Sequence, residues 1–213
     1  MANETKSAKS RTYRKRVRAE QEEATRERIT AAAVKLHGTI GPAKTTVSAL
    51  AEEAGVQRAT VYRHFPDEVA LFAACTAHYW TSHPLPDIES WKAITDRGER
   101  LRHALANFYA FYTENEAMLE KTSRDAHLVE AMNEPREAFR GFVEAAAGIL
   151  MAGRPERGAA RRRTSAAVAH ALSFQTWQSL TSTQGLSNAE AVAVMVAMVE
   201  GAGSARPPRS AHA

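Results

Sequence analysis

Arg58, Ala59, Thr60, Tyr62, Arg63 and His64 bring two guanidinium groups, a hydroxyl, a phenol, an imidazole and a small methyl into seven residues. Such a set suits a polyanion with readable edges. A guanidinium can pair bidentately with guanine O6 and N7, and a threonine or alanine methyl can meet a thymine methyl. Phenol and imidazole groups suit phosphate oxygens, which position a protein without specifying sequence.

The surrounding residues, 46 to 65, read as two short helices joined by a tight turn. Val47, Leu50, Ala51 and Ala54 recur at helical spacing. Thr46 can cap the first helix, and Gly55 can end it in the left-handed conformation that glycine adopts without strain. The second helix starts near Arg58, buries Val61 and Phe65, and turns the polar set outward. A small residue at 51, glycine at 55 and a branched apolar residue at 61 fit a helix-turn-helix, which holds its second helix out toward a DNA major groove. An ordinary helical hairpin with a solvated polar face has the same spacing.

The net charge of +4 is concentrated at the start. Residues 1–20 hold seven bases, Arg14, Arg16 and Arg18 among them, against two acids, so they carry +5 and the remaining chain −1. This stretch lacks apolar periodicity and is expected to be a disordered arm. Such an arm can track phosphates or lay Arg14, Arg16 and Arg18 in a minor groove beside the major-groove helix; a solvated tail is the plainer reading. One cysteine, Cys75, rules out an intramolecular disulfide framework and suits a reducing cytoplasm, where it is expected to be a buried packing thiol. No apolar run reaches the roughly 18 residues of a membrane span. The eight histidines show no metal-binding pair, and neither a glycine-rich phosphate loop nor a nucleophile elbow appears. No catalytic residue, metal or cofactor is therefore expected.

The rest of the pattern is helical. A first helix is expected over 22–36, with Ile29, Ala32, Ala33 and Leu36 on one face. Another is expected over 67–80, before Pro84 and Pro86 break it. Leu101, Leu105, Phe108 and Tyr112 form one stripe, and Pro135 opens a helix carrying Phe139, Phe142 and Leu150. A helix over 159–183 shows two apolar faces, one with Val168 and Leu172, the other with Phe174 and Trp177. Ser187 and Glu190 form a capping box for the last helix, which is apolar nearly all round. At the end of a chain this size, one side is most simply buried against a second copy. Val168, Leu172, Val192, Met195, Val196 and Val199 are the expected dimer contacts. A central helix of a monomeric bundle is the other reading. The expected layout is an all-α chain: an arm over 1–20, a helix-turn-helix domain over 21–66, a helical regulatory domain over 67–201 and a disordered tail over 202–213.

Gly41, Thr46, Leu50, Ala51, Ala54-Gly55-Val56, Thr60-Val61-Tyr62, His64-Phe65 and Leu71 resemble the TetR-type transcriptional regulators in type and spacing. The resemblance covers roughly residues 22 to 75, and the tyrosine–x–x–phenylalanine close of the second helix is its most specific part. It implies a cytoplasmic, nucleoid-associated homodimer that binds a palindromic operator and lets go when a small molecule occupies the C-terminal domain. Carried over, Arg58, Ala59, Thr60, Tyr62 and His64 stand where the family touches DNA, and Thr46 where it meets a phosphate. Candidate pocket residues are Trp91, Phe108, Tyr112, Met118, Met132, Phe139, Phe174 and Trp177, which would suit an apolar or aromatic effector; each also fits plain core. An effector would favour a half-site spacing that no longer matches successive major grooves, about 34–36 Å apart, with the 67–80 helix carrying the movement.

Three departures from the family stand out. Glu68 occupies the place of a lysine that is usually available for a phosphate, a loss the basic arm is expected to offset. Gln57 replaces the usual capping serine. His37 stands where a core aromatic is expected. A different outcome is a DNA-binding coregulator or architectural protein whose C-terminal domain binds a protein and no small molecule.

Overall fold

A computed structural model describes residues 2–204, and their side chains from residue 13 onward. Among these residues every regular element is a helix, with no strand. The helices are α1 (Ala2–Thr39), α2 (Val47–Glu53), α3 (Arg58–His64), α4 (Glu68–Ser82), α5 (Arg97–Asp125), α6 (Asn133–Met151), α7 (Gly158–Ala171), α8 (Phe174–Gln178) and α9 (Asn188–Ala202). None of them is long and apolar enough to cross a membrane. They form two compact units, Met1–His83 with Glu120–Pro135, and Pro84–Leu119 with Arg136–Ala213.

The core of the first unit is small. Ile29, Ala32 and Ala33 of α1 meet Leu50 and Ala51 of α2 and Ala54 at its C-cap, then Val61, Phe65 and Cys75. The apolar spacing in the sequence anticipates these faces. The buried part of α1 with the short α2 and α3 covers too little surface to stand alone, and α4 completes the core. The first compact unit therefore runs on to His83, past the 66 at which the helix-turn-helix domain is expected to end, and takes in Glu120–Pro135 as well. Phe72 packs with Ala131 and Met132 in a second cluster of the same unit. Cys75 is buried, its Sγ 3.9 Å from the carbonyl of Thr30, and burial pushes its thiol up to about 12. It is a packing group, not a nucleophile.

Helix α1 begins at Ala2, where the sequence reading expects an irregular arm up to residue 20 and a helix only from Glu22. Absent apolar periodicity reports an absence of burial, not of helix. Arginine, lysine, alanine and glutamate are strong helix formers, and Arg16–Glu20 and Arg18–Glu22 pair one turn apart. At the other end, residues 205–213 of the expected tail lie outside the described residues.

His37 is 5 % exposed and stacks on Phe72, ring centroids 4.7 Å apart. It fills the place of a core aromatic, with Phe72 as its partner. Burial lowers its pKa from 6.5 to about 4, so the folded protein holds it neutral. The unfolded chain protonates first as pH falls. This contribution to stability is therefore complete above pH 6.5 and lost progressively down to about pH 4. The loss amounts to roughly 3 kcal/mol. Urea titrations at pH 7 and pH 4.5 should show a markedly smaller acid loss in His37→Phe than in the wild type. Equal losses in both would rule this out.

The second unit is built on α5, whose stripe Leu101, Leu105, Phe108 and Tyr112 is fully buried. Where the sequence suggests one helix over 159–183, there are two, with a break after Leu172. A continuous helix would return the N–H groups of Gln175 and Thr176 to the carbonyls of Ala171 and Leu172. Those carbonyls instead accept the hydroxyls of Tyr109 at 3.0 Å and Tyr112 at 2.5 Å. Burial raises both phenols, which stay neutral donors. Beyond α8 the chain widens into a π turn over Ser179–Thr183. The Ser187–Glu190 capping box then starts α9.

Helix α9 is not buried all round within the chain. Ala191, Val192, Met195 and Val199 face inward, Val196 is half-buried, and Val194 and Met198 are exposed. Val168 and Leu172 are also fully buried in their own chain. Of the six residues expected at a dimer contact, five are thus core, because the α7–α9 packing consumes that face.

Candidate nucleic-acid interface

Gly55, with φ +63, turns the corner between α2 and α3. The Val56 N–H returns to the carbonyl of Ala51 at 2.9 Å, closing the end of α2. Val61 and Phe65 are 2 % and 3 % exposed and anchor α3 from beneath. That anchoring leaves Arg58, Ala59, Tyr62 and Arg63 exposed and Thr60 and His64 half-buried. Seven residues can present only one narrow face, and here it is the polar one.

His64 is the least available of the set. Its Nε2 is enclosed and without a hydrogen-bond partner, which leaves only the other ring edge for a phosphate. Thr46 Oγ1 accepts the Ala49 N–H at 3.1 Å, as an N-cap, and its own O–H remains a donor. Gln57 makes no side-chain cap bond, so the departure from serine leaves the start of α3 uncapped. Glu68 is exposed in the first turn of α4, where a carboxylate complements the helix dipole and cannot serve a phosphate. Arg14, Arg16 and Arg18 lie exposed along α1, and the last two are paired with glutamates.

Arg26 belongs to this site, although the sequence reading does not single it out. Its guanidinium donates to the carbonyl of His64 at 3.0 Å and lies 4.3 Å above the ring of Phe65. It thereby occupies an orphan carbonyl at the end of α3 and clamps the helix from its last turn. Thirty-eight residues separate the partners. Only a hint of its role exists in the sequence, an arginine one turn before the buried face that begins at Ile29.

In comparison with known proteins, residues 29–75 match the family model described as bacterial regulatory proteins, tetR family. The match runs from the last part of α1 through α2 and α3 into α4. Several solved structures share the fold of the chain as a whole. A TetR-like transcriptional regulator from Rhodococcus sp. RHA1 is 16 % identical, with a TM-score of 0.63, over 85 % of this chain and 97 % of that one. A HlyIIR mutant protein is 19 % identical, with a TM-score of 0.60, over 88 % and 99 %. FadR from Bacillus subtilis, solved in complex with stearoyl-CoA, is 18 % identical, with a TM-score of 0.54, over 85 % and 99 %. A search of the curated proteins finds no match. The chain therefore has the all-α fold of TetR-type regulators, and the Tyr62–x–x–Phe65 close of α3 is the motif that pointed there.

In the C-terminal unit, five of the eight candidate pocket residues come together. Trp91, Phe108, Tyr112, Phe174 and Trp177 are all buried, and their ring centroids succeed one another at 5.5 to 5.8 Å. Their polar atoms are satisfied within the unit, Trp91 Nε1 by Asn107 and Trp177 Nε1 by Asn188. Phe139 is half-buried beside Phe111 and Phe142, and Met118 is half-buried on α5. Met132 lies in the N-terminal unit against Phe72 and does not join them. A solvent-open depression of about 420 Å³ is lined by Met151, Arg154, Pro155, Arg157 and Arg161. It contains none of the aromatic candidates. Arg154 is paired there with Glu200 and Glu156, and Arg157 with the carbonyls of residues 154–156, so these cations close helix ends.

Proposed function

We propose that this chain is a homodimeric transcriptional repressor that reads a palindromic operator with α3 and releases it when a small apolar or aromatic effector occupies the C-terminal unit. The observation that carries the reading is the exposed row Arg58, Ala59, Tyr62 and Arg63 on a helix whose opposite side is sealed by Val61 and Phe65. Arg58, in the first turn, is the guanine reader. Thr60 and Ala59 meet a thymine methyl, and Tyr62, Arg63, the free edge of His64 and the Thr46 hydroxyl take phosphates. The basic start of α1 adds phosphate contacts through Arg14, Arg16 and Arg18. On this reading the protein acts in the bacterial cytoplasm, at the nucleoid.

Duplexes selected from a random pool by the wild-type chain test this directly. Arg58→Ala should weaken binding by about 1–3 kcal/mol and relax the choice at one base pair of each half-site. Binding that weakens evenly across all sequences would make Arg58 a phosphate contact instead. An effector panel should include neutral aromatics and long-chain acyl thioesters, since the FadR neighbour was solved with stearoyl-CoA. The close ring packing among Phe108, Tyr112, Phe174 and Trp177 favours one second reading, a C-terminal unit that binds a protein. Release of the selected duplex by a panel compound decides for the first reading.

The dimer face follows from the exposed side of α9, Val194 and Met198 with half-buried Val196. A chain that leaves two large apolar side chains on one helix beside exposed alanines has a face suited to a second copy.

A further inference from the structure

The turn that leads into α2 is held by residues more than 80 positions away in sequence. Asp125, the last residue of α5, has a side chain only 3 % exposed, and its carboxylate accepts the Ala43 N–H at 3.0 Å. Arg124 grips the same carboxylate through Nε at 2.7 Å and Nη2 at 3.1 Å, and Nη2 also donates to the carbonyl of Ile40 at 3.1 Å. Gly41 passes between them with φ +94, and a Cβ there would collide with both Arg124 and Asp125. Buried Pro42 and the Thr45 hydroxyl, bonded to the Gly41 carbonyl at 2.9 Å, stiffen the rest of the turn. The next residue is Thr46, the cap of α2.

We propose that Arg124 and Asp125 are positioning residues for operator binding: they clasp the 40–43 turn and so set where Thr46 and the start of α2 meet a DNA phosphate. The proposal rests on the DNA-binding reading above. It also gives that reading a regulatory route. Helix α5 is uninterrupted from Arg97 to Asp125, and its residues up to Leu119 belong to the C-terminal unit. A shift or rotation of α5 carries the clasp with it. Without the clasp, the Ala43 N–H and the Ile40 carbonyl lose their partners, and the turn has no reason to keep its geometry.

The test uses the full chain and a duplex selected by the wild type. Asp125→Ala should weaken operator binding about tenfold. It should also speed amide exchange at residues 40–46 more than at residues 58–64. Asp125→Asn keeps an oxygen for the Ala43 N–H and should recover most of the affinity. Arg124→Gln, which leaves the Asp125–Ala43 bond intact, should weaken binding about threefold and covers the case in which Asp125→Ala does not fold. Wild-type affinity in Asp125→Ala, or in Arg124→Gln if the former is unfolded, would overturn the proposal. So would a loss of affinity matched by uniform exchange across the whole N-terminal unit, the mark of a merely structural role. A wild type that selects no duplex would instead sink the DNA-binding reading itself.

Discussion

Replacing Phe65 by alanine is expected to destabilise the N-terminal unit by about 3–5 kcal/mol, the usual cost of emptying a buried phenylalanine site. The ring is 3 % exposed, packs in the core formed with Leu50 and Val61, and carries Arg26 over its face at 4.3 Å. Truncation therefore removes apolar contact and cation–ring attraction together. The stability of a whole domain is about 5–15 kcal/mol, so a unit this small would keep little of its own. Urea unfolding followed by helical ellipticity measures the loss, and operator binding should vanish alongside it. Phe65→Leu, which keeps most of the volume, should cost less than about 1.5 kcal/mol. A loss below about 1 kcal/mol in the alanine variant would mean that the core is not organised around this ring.

The second large effect concerns association. Met198→Asp should leave the monomer folded, because Met198 is 53 % exposed in the single chain and surface changes rarely cost much stability. In a two-fold interface the substitution buries two like charges across one axis. Dimer dissociation should rise by about a hundredfold or more, and operator affinity should drop with it, because two half-sites are no longer held by one linked molecule. Sedimentation at micromolar concentration reads the first effect and duplex titration the second. Val192→Asp provides the contrast. Val192 is 6 % exposed within its own chain, so this change should unfold the C-terminal unit and not merely separate copies. A Met198→Asp protein that remains dimeric would move the interface off α9.

These expectations divide by how far apart in sequence their causes lie. The two-helix corner was legible because each of its determinants is local. Thr46 caps within three residues, Gly55 supplies its own positive φ, and the apolar spacing of α2 and α3 reports which side is buried. The Ser187–Glu190 box and the break at Pro84 are of the same kind. Local periodicity misled where it was asked about burial by a partner. Helix α9 is apolar nearly all round, and composition could not say which of its sides α7 would cover. Within the single chain, Val192, Met195 and Val199 lie inside and Val194 and Met198 are exposed. The Ser173 break was hidden for a similar reason. Residues 159–183 have unbroken helical spacing, and the hydroxyls that take the Ala171 and Leu172 carbonyls come from Tyr109 and Tyr112, some 60 residues earlier.

The candidate interface splits along the same line. The sequence places Arg58 to His64 on one helix with an outward polar face, because side-chain direction follows from helical period alone. Only the tertiary structure turned His64 Nε2 inward, brought Arg26 under the end of α3 and set Asp125 on the turn before α2. The last two are contacts between groups that no repeat or motif connects. Their partners are backbone groups at helix ends and turns, whose needs become visible only when the chain has folded and water has left.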